Sequence, residues 1–323
     1  MGPASRRIRA AARGLQRRAA ASTTASPAPE RQRVRERRKA DLRERLHLAN
    51  LVRVSFSPAS VVETALLNSR LRRIVLEVDN PAVLDVKPAG DSAVGVYFDV
   101  DDHPGGAGRN YSVRHQDGRL LTLDVVLHSR GPGTEWASEA AAGDRVVLDH
   151  ARSWYRPPPR TDWQLLVSDL SGLPATARIV EQLPRDAVAL VVVEVAASED
   201  LEYLPGHPNV TVLPSIGTGN GAAASTLMST VGDLELPAGH GYCWFAGEAA
   251  ESRAVRKYLR SEGWTIEQYD ITGYWRLDSE AWDARFAEVV DDVLPVYEQA
   301  LTAGKGDKAA FEEFDEACER IGL

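Results

Sequence analysis

Cysteine is nearly absent. The chain of 323 residues has two, Cys243 and Cys318, far from each other and from any C-x-x-C spacing. That pattern fits a reducing compartment and argues against an iron–sulfur centre held by the protein. Long apolar runs are missing too. The best one, Ala187 to Val193, has the length of a buried strand, so no membrane span is expected. The seven histidines and many acids show no Ser-His-Asp order, no zinc spacing and no paired-carboxylate motif. Gly217-Thr218-Gly219-Asn220-Gly221 is neither a Walker loop nor a dinucleotide fingerprint, and reads as a plain loop. No metal site is expected, and any difficult chemistry would fall to a bound cofactor.

Charge is present but unevenly spread. Residues 1–45 carry 14 Lys and Arg against 4 Asp and Glu, a net of +10, while the remainder carries 24 against 42, a net of −18. Such a basic extension, rich in Ala, Ser and Thr, is expected to be disordered or a solvated helix. Arg6-Arg7 is not followed by an apolar stretch, so a secretory signal is not expected and the location is read as cytoplasmic.

From residue 46 to 155 the pattern is that of short strands between turns. Strands are predicted over 51–56, 71–78, 93–99, 109–113, 120–128 and 145–149. In the second, Ile74, Leu76 and Val78 share a face; in the fifth, Leu121, Leu123, Val125 and Leu127 do. Six strands with one short helix before the last suggest a closed antiparallel barrel. Arg156-Pro157-Pro158-Pro159-Arg160 marks a boundary, because consecutive prolines break helix and sheet interior alike. Beyond it, strands at 164–168, 188–195, 210–213 and 242–246 alternate with helices at 173–183, 222–231 and 248–262. A further strand is read at 264–269. This rhythm predicts a parallel sheet with helices on both faces over 156–276. A helical extension fills 277–323, with Ser279 as N-cap and a local break at Pro295.

The chemistry gathers between Arg109 and Asp149. Arg109-Asn110-Tyr111-Ser112 puts an arginine fork, a flat ring and a hydroxyl on one extended segment. These suit a diphosphate, a heterocycle and a ring nitrogen respectively. Gly131 and Gly133 allow close backbone approach, and Thr134 is placed to cap a helix at 135–142 whose N-terminus favours phosphate. Together these features suit a flavin dinucleotide.

The order R-x-Y-S-V-R, D-x-V-L-H, G-x-G-T-x-W-A and G-D closely resembles the FAD-binding half of the siderophore-interacting protein family. These are flavin-dependent ferric-siderophore reductases related to the ferredoxin reductases. The resemblance runs from about Leu51 to Leu323 and includes Phe245-Ala246-Gly247-Glu248-Ala249, Gly273-Tyr274-Trp275-Arg276 and Glu312-Glu313-Phe314-Asp315. It departs where relatives carry G-D-E-[ST]-x-L-P-A: Ser168 replaces the Gly and Leu170 the Glu.

The resemblance implies a six-stranded antiparallel FAD-binding barrel followed by a parallel-sheet α/β domain like those that bind NAD(P). It implies that Arg109 holds the pyrophosphate, while Tyr111 and Ser112 work at the flavin ring. Val126, Leu127, His128, Gly131, Gly133, Thr134 and Trp136 would line the remaining FAD contacts. Asp169, Gly247 and Glu248 would meet the nucleotide donor, and Lys305, Lys308 and Arg276 an anionic substrate. NADH, NADPH or ferredoxin would supply electrons, and a ferric siderophore would take them. A general NAD(P)H–flavin reductase, and a cofactor-free module whose basic arm contacts nucleic acid or membrane, are the competing readings; the expectation is of no nucleic-acid partner.

Overall fold

The structure is a computed structural model that describes residues 56–98, 108–128, 131–149 and 151–323. The basic segment 1–45 and nearly all of the strand expected at 51–56 lie outside the described residues.

Six antiparallel strands close a barrel in the order β1-β2-β5-β4-β3-β6. They are β1 (Ser57–Leu66), β2 (Leu71–Val78), β3 (Ala93–Tyr97), β4 (Gly108–Asp117), β5 (Leu120–Val126) and β6 (Arg145–Leu148). Closure comes from β1 pairing with β6, Ser57 opposite Leu148 through Ser60 opposite Arg145. The two-residue periodicity fills the interior: Ile74, Leu76, Val78, Leu121, Leu123 and Val125 are all fully buried. Each such side chain contributes about 1.5–3 kcal/mol on burial. The short helix α1 (Pro132–Glu139) lies between β5 and β6 and sends Ala137 into the same core.

A second layer system follows. The strands β7 (Trp163–Ser168), β8 (Val188–Val195), β9 (Val210–Ile216), β10 (Gly241–Glu248) and β11 (Tyr269–Trp275) form a parallel sheet in the order β11-β10-β7-β8-β9. Helices α2 (Leu173–Gln182), α3 (Leu227–Gly232) and α4 (Ala249–Ser261) accompany it. Two further helices, α5 (Ser279–Thr302) and α6 (Asp307–Arg320), complete the chain. Among the described residues no helix is long and apolar enough to cross a membrane.

Barrel and sheet are joined by buried polar contacts. Asp91 accepts from Ser153 Oγ (2.5 Å), the Trp154 and Tyr155 amides (2.8 and 2.7 Å) and the Trp244 indole (3.2 Å). Asp124, buried on β5, accepts both ends of the Arg73 fork at 2.8 Å and the Tyr203 hydroxyl. Arg178 on α2 donates to the Val113 carbonyl at 2.6 Å. The prolines 157–159 are thus a short joint between firmly docked parts.

Several expected elements need correction. Among the described residues the first barrel strand is Ser57–Leu66, which the sequence does not announce because inward Ser57 and Ala59 are small and a bulge between Val61 and Glu63 breaks its alternation. The last sheet strand is Tyr269–Trp275, not 264–269. The helix expected at 222–231 shrinks to Leu227–Gly232, because the preceding loop wraps a carboxylate, and α1 starts at Pro132 with Gly131, not Thr134, at the cap. Asp278, at φ 52°, holds the cap position expected of Ser279, and α5 runs unbroken through Pro295.

Candidate functional site

The expected barrel residues come together at the first turn of α1. On β4, Tyr111 and Val113 face the barrel core, while Ser112 points to the other side, buried. Arg109 is exposed; its guanidinium donates to the Gly108 carbonyl at 2.8 Å and has no carboxylate partner among the described residues. Gly133 packs so closely that a Cβ there would lie 2.3 Å from the Tyr111 hydroxyl and 3.6 Å from Arg109 Cγ. Only glycine allows this convergence. Gly131 precedes it at φ 117°, a conformation that L side chains rarely adopt.

Thr134 Oγ1 accepts from the His128 amide at 3.0 Å, tying the end of β5 to the helix. Thr134 thus bridges rather than caps. The first turn of α1 leaves the amides of Gly133 and Thr134 without intrahelical carbonyls, beside the Arg109 charge. His128 is exposed at its edge, yet desolvation by its surroundings lowers its pKa, so it serves as a neutral imidazole. Val126 packs toward the sheet core and Leu127 toward the barrel core.

An aromatic cluster forms the wall. Phe98 stacks on Trp136 with centroids 4.7 Å apart, and Tyr111 is tilted against Trp136 at 5.8 Å and Phe98 at 6.4 Å. Burial pushes the Tyr111 phenol well above its usual range, so it stays protonated. Three buried polar atoms are short of hydrogen-bond partners: Trp136 Nε1, and Ser112 Oγ and Tyr274 Oη, which have only each other. An orphaned buried group costs about 1–3 kcal/mol. Trp136 lies with Tyr111 on the barrel-core side, and Tyr274 on the sheet side, so each side of β4 has a polar group with capacity to spare. Phe98 and Tyr274 were not singled out from the sequence. Tyr274 reaches the site from β11, and no local spacing signals it.

The residues expected around the nucleotide are internally engaged. Asp169 accepts from the Ser171 amide (2.8 Å), Ser171 Oγ (2.5 Å) and Trp275 Nε1 (2.5 Å). Burial raises its pKa, against those bonds. A Cβ at Gly247 would meet Asp169 Oδ2 at 3.0 Å, so this glycine lets β10 pass the carboxylate. Glu248 caps α4 through the Ala250 and Glu251 amides and also holds the Leu277 amide at 3.2 Å.

Two of the expected substrate cations have partners within the protein. Lys308 is drawn onto the end of the sheet, donating to the Ile266 and Tyr269 carbonyls, pairing with Asp270 at 3.1 Å and lying 4.7 Å from the Tyr269 ring centroid. Lys305 pairs with Glu313. The Lys305 pair is exposed, whereas Lys308 is held by several partners at once. Arg276 lies 4.2 Å from the Trp282 ring centroid, and desolvation lowers its pKa. No group of metal-ligating side chains occurs among the described residues.

Barrel and sheet match known proteins. The family model described as siderophore-interacting FAD-binding domain matches residues 49–152, and that described as siderophore-interacting protein matches 161–278. The chain belongs to the siderophore-interacting protein family. It is 32% identical over 185 residues to an uncharacterized protein of Mycobacterium tuberculosis, covering 52% of this chain and 64% of the relative. It is 32% identical over 162 residues to the ferric vibriobactin reductase ViuB of Vibrio cholerae, covering 48% of this chain and 58% of that protein. The matches therefore span somewhat less than two thirds of these relatives' length. The solved siderophore-interacting protein of Acinetobacter baumannii shares the fold, with a TM-score of 0.65 at 20% identity over 75% of this chain and 99% of that one. The architecture is that of the ferredoxin-reductase fold.

Proposed function

We propose that the protein is a flavin-dependent oxidoreductase of the cytoplasm that reduces Fe(III)–siderophore complexes and releases Fe(II) for iron assimilation. The observation that carries this is the convergence of Arg109, Tyr111 and Gly133 at the first turn of α1, with the buried Ser112 hydroxyl on the other face of the same strand. The relatives' names, ferric vibriobactin reductase among them, support the substrate class.

The residues fit FAD. Arg109 and the Gly133 and Thr134 amides would take the pyrophosphate, the tilted face of Tyr111 the ring system, and the Ser112 hydroxyl a ring nitrogen. Gly131 gives the chain its turn into the helix, and Trp136 backs Tyr111 and offers its indole N–H. Val126, Leu127 and His128 would form the floor, His128 as a neutral imidazole. Bound FAD would supply what no side chain here can, acceptance of two electrons together and their release one at a time. Tyr111 contributes a ring that stays uncharged, and Ser112 a buried hydroxyl whose neighbour is the Tyr274 hydroxyl.

The iron chemistry gives direction. Siderophore oxygens are hard donors that favour Fe(III), so a one-electron reduction weakens the complex and frees Fe(II) for softer ligands. NADH or NADPH would donate electrons from the strand ends near Asp169, Gly247 and Glu248. Arg276, held over Trp282, is the remaining cation for an anionic substrate. Purified protein should carry FAD, oxidise NAD(P)H and transfer iron from a ferric siderophore to a ferrous chelator. Oxidation of NAD(P)H with electrons passing only to free flavin would favour a general flavin reductase instead.

A further inference from the structure

Ligands of parallel α/β sheets seat beyond the carboxyl ends of the strands. Here that edge is laced together by its own side chains. After β7, Asp169 is fully occupied by Ser171 and Trp275. Near the end of β8, the buried Glu194 accepts from Ser225 Oγ (2.9 Å), Thr226 Oγ1 (3.0 Å) and the Thr226 amide. After β10, Glu248 is the cap of α4. The loops also join one another: the Leu170 amide donates to Asn220 Oδ1 at 2.9 Å, with Asn220 held at φ 57°.

Trp275 completes the lacing. It ends β11, an edge strand, yet its indole N–H reaches past β10 to the carboxylate that follows β7 at 2.5 Å. Its ring also approaches the loop that follows β9, the opposite edge: a Cβ on Gly221 would lie 3.5 Å from Trp275 Cη2. One side chain from the β11 edge thus touches both the loop after β7 and the loop after β9.

We infer that Trp275, hydrogen-bonded to Asp169 and lying close to Gly221 of the loop that Asn220 ties to Leu170, is a bar across the nucleotide entrance that swings aside before a nicotinamide dinucleotide seats. The inference rests on the proposed reading in which NAD(P)H is the donor, and adds the residues that gate it. A site open for a fraction of the time binds with affinity reduced by that fraction. Removing one N–H donor to a carboxylate should raise the open fraction by roughly tenfold.

The test uses the full chain loaded with FAD, titrated calorimetrically with NADP+ and with NAD+, so that no turnover is needed. Trp275→Phe keeps an aromatic ring but loses the N–H. It should bind the preferred nucleotide about tenfold more tightly than the unaltered protein. Asn220→Gly, which tolerates positive φ and releases the Leu170 amide, should shift affinity the same way, and decides the matter if Trp275→Phe does not fold. Affinity that is unchanged, weaker or undetectable in the folded variants overturns the bar. Electron transfer from photochemically reduced protein to a ferric siderophore is measured alongside. Its absence together with tightened nucleotide binding would sink the reductase reading and leave the bar standing.

Discussion

The hydroxyls of Ser112 and Tyr274 meet across the junction of barrel and sheet, buried and with no further hydrogen-bond partner. Ser112 comes from β4 and Tyr274 from β11, 162 positions later, so the wall of the proposed flavin site is shared by both halves of the protein. Two buried hydroxyls with only each other as partner keep spare donor and acceptor capacity, which is costly until a ligand uses it. Ser112→Ala together with Tyr274→Phe should leave the flavin-free protein as stable as before, or more stable by about 1 kcal/mol, in chemical denaturation. Ser112→Ala alone should weaken FAD binding several-fold by fluorescence titration. A large loss of stability in the flavin-free double variant would mean that these hydroxyls have further partners after all.

Arg109 should dominate FAD affinity. Its exposed guanidinium has no carboxylate partner among the described residues to compete with a diphosphate. Arg109→Ala should cost about 1.5–3 kcal/mol, ten- to a hundredfold in affinity, while Arg109→Lys keeps charge without the fork and falls between. Full flavin occupancy in Arg109→Ala at low FAD would place the pyrophosphate elsewhere.

Gly133 and Tyr111 should behave as a coupled pair. Gly133→Ala drives a methyl group against the Tyr111 hydroxyl and should destabilise the fold by about 1–3 kcal/mol. Tyr111→Phe removes the offending oxygen, so the double variant should recover most of that loss. Additive losses in urea titrations would mean that the ring and helix do not touch.

Lys308 is expected to act on stability, not on substrate affinity. Lys308→Ala leaves Asp270 with the Tyr242 hydroxyl alone among its close partners and uncaps two carbonyls. With a third of the lysine side chain exposed, the cost should be about 1–2 kcal/mol, and Lys305→Ala should cost less than 0.5. A raised KM for an anionic ferric siderophore with unchanged melting in Lys308→Ala would return this lysine to the substrate site.

Much of the barrel was legible because alternation at Ile74, Leu76 and Val78, or at Leu121, Leu123 and Val125, leaves one solution for which face is buried. Ser57–Leu66 was not, since small inward residues, Pro58 and a bulge between Val61 and Glu63 blur its period. The Arg109–Tyr111–Ser112 segment was legible as a site because its chemistry is local. The bonds that decide the sheet edge were not: Trp275 meets Asp169 across 106 positions and Lys308 meets Tyr269 across 39. No spacing rule reaches that far. Read from the sequence, Glu248 and Lys308 looked free because the partners that occupy them are tertiary.

The central claim is electron transfer from a flavin held by Arg109, Tyr111 and Ser112 to siderophore-bound iron. The most direct measurement reduces the FAD-loaded protein photochemically, mixes it with a ferric siderophore under anaerobic conditions and follows the Fe(II) captured by a ferrous chelator. Flavin reoxidation should proceed with two Fe(II) released per FAD, faster than with an equal concentration of free reduced FAD. Reoxidation no faster than that of free reduced FAD, or without Fe(II) release, would contradict it.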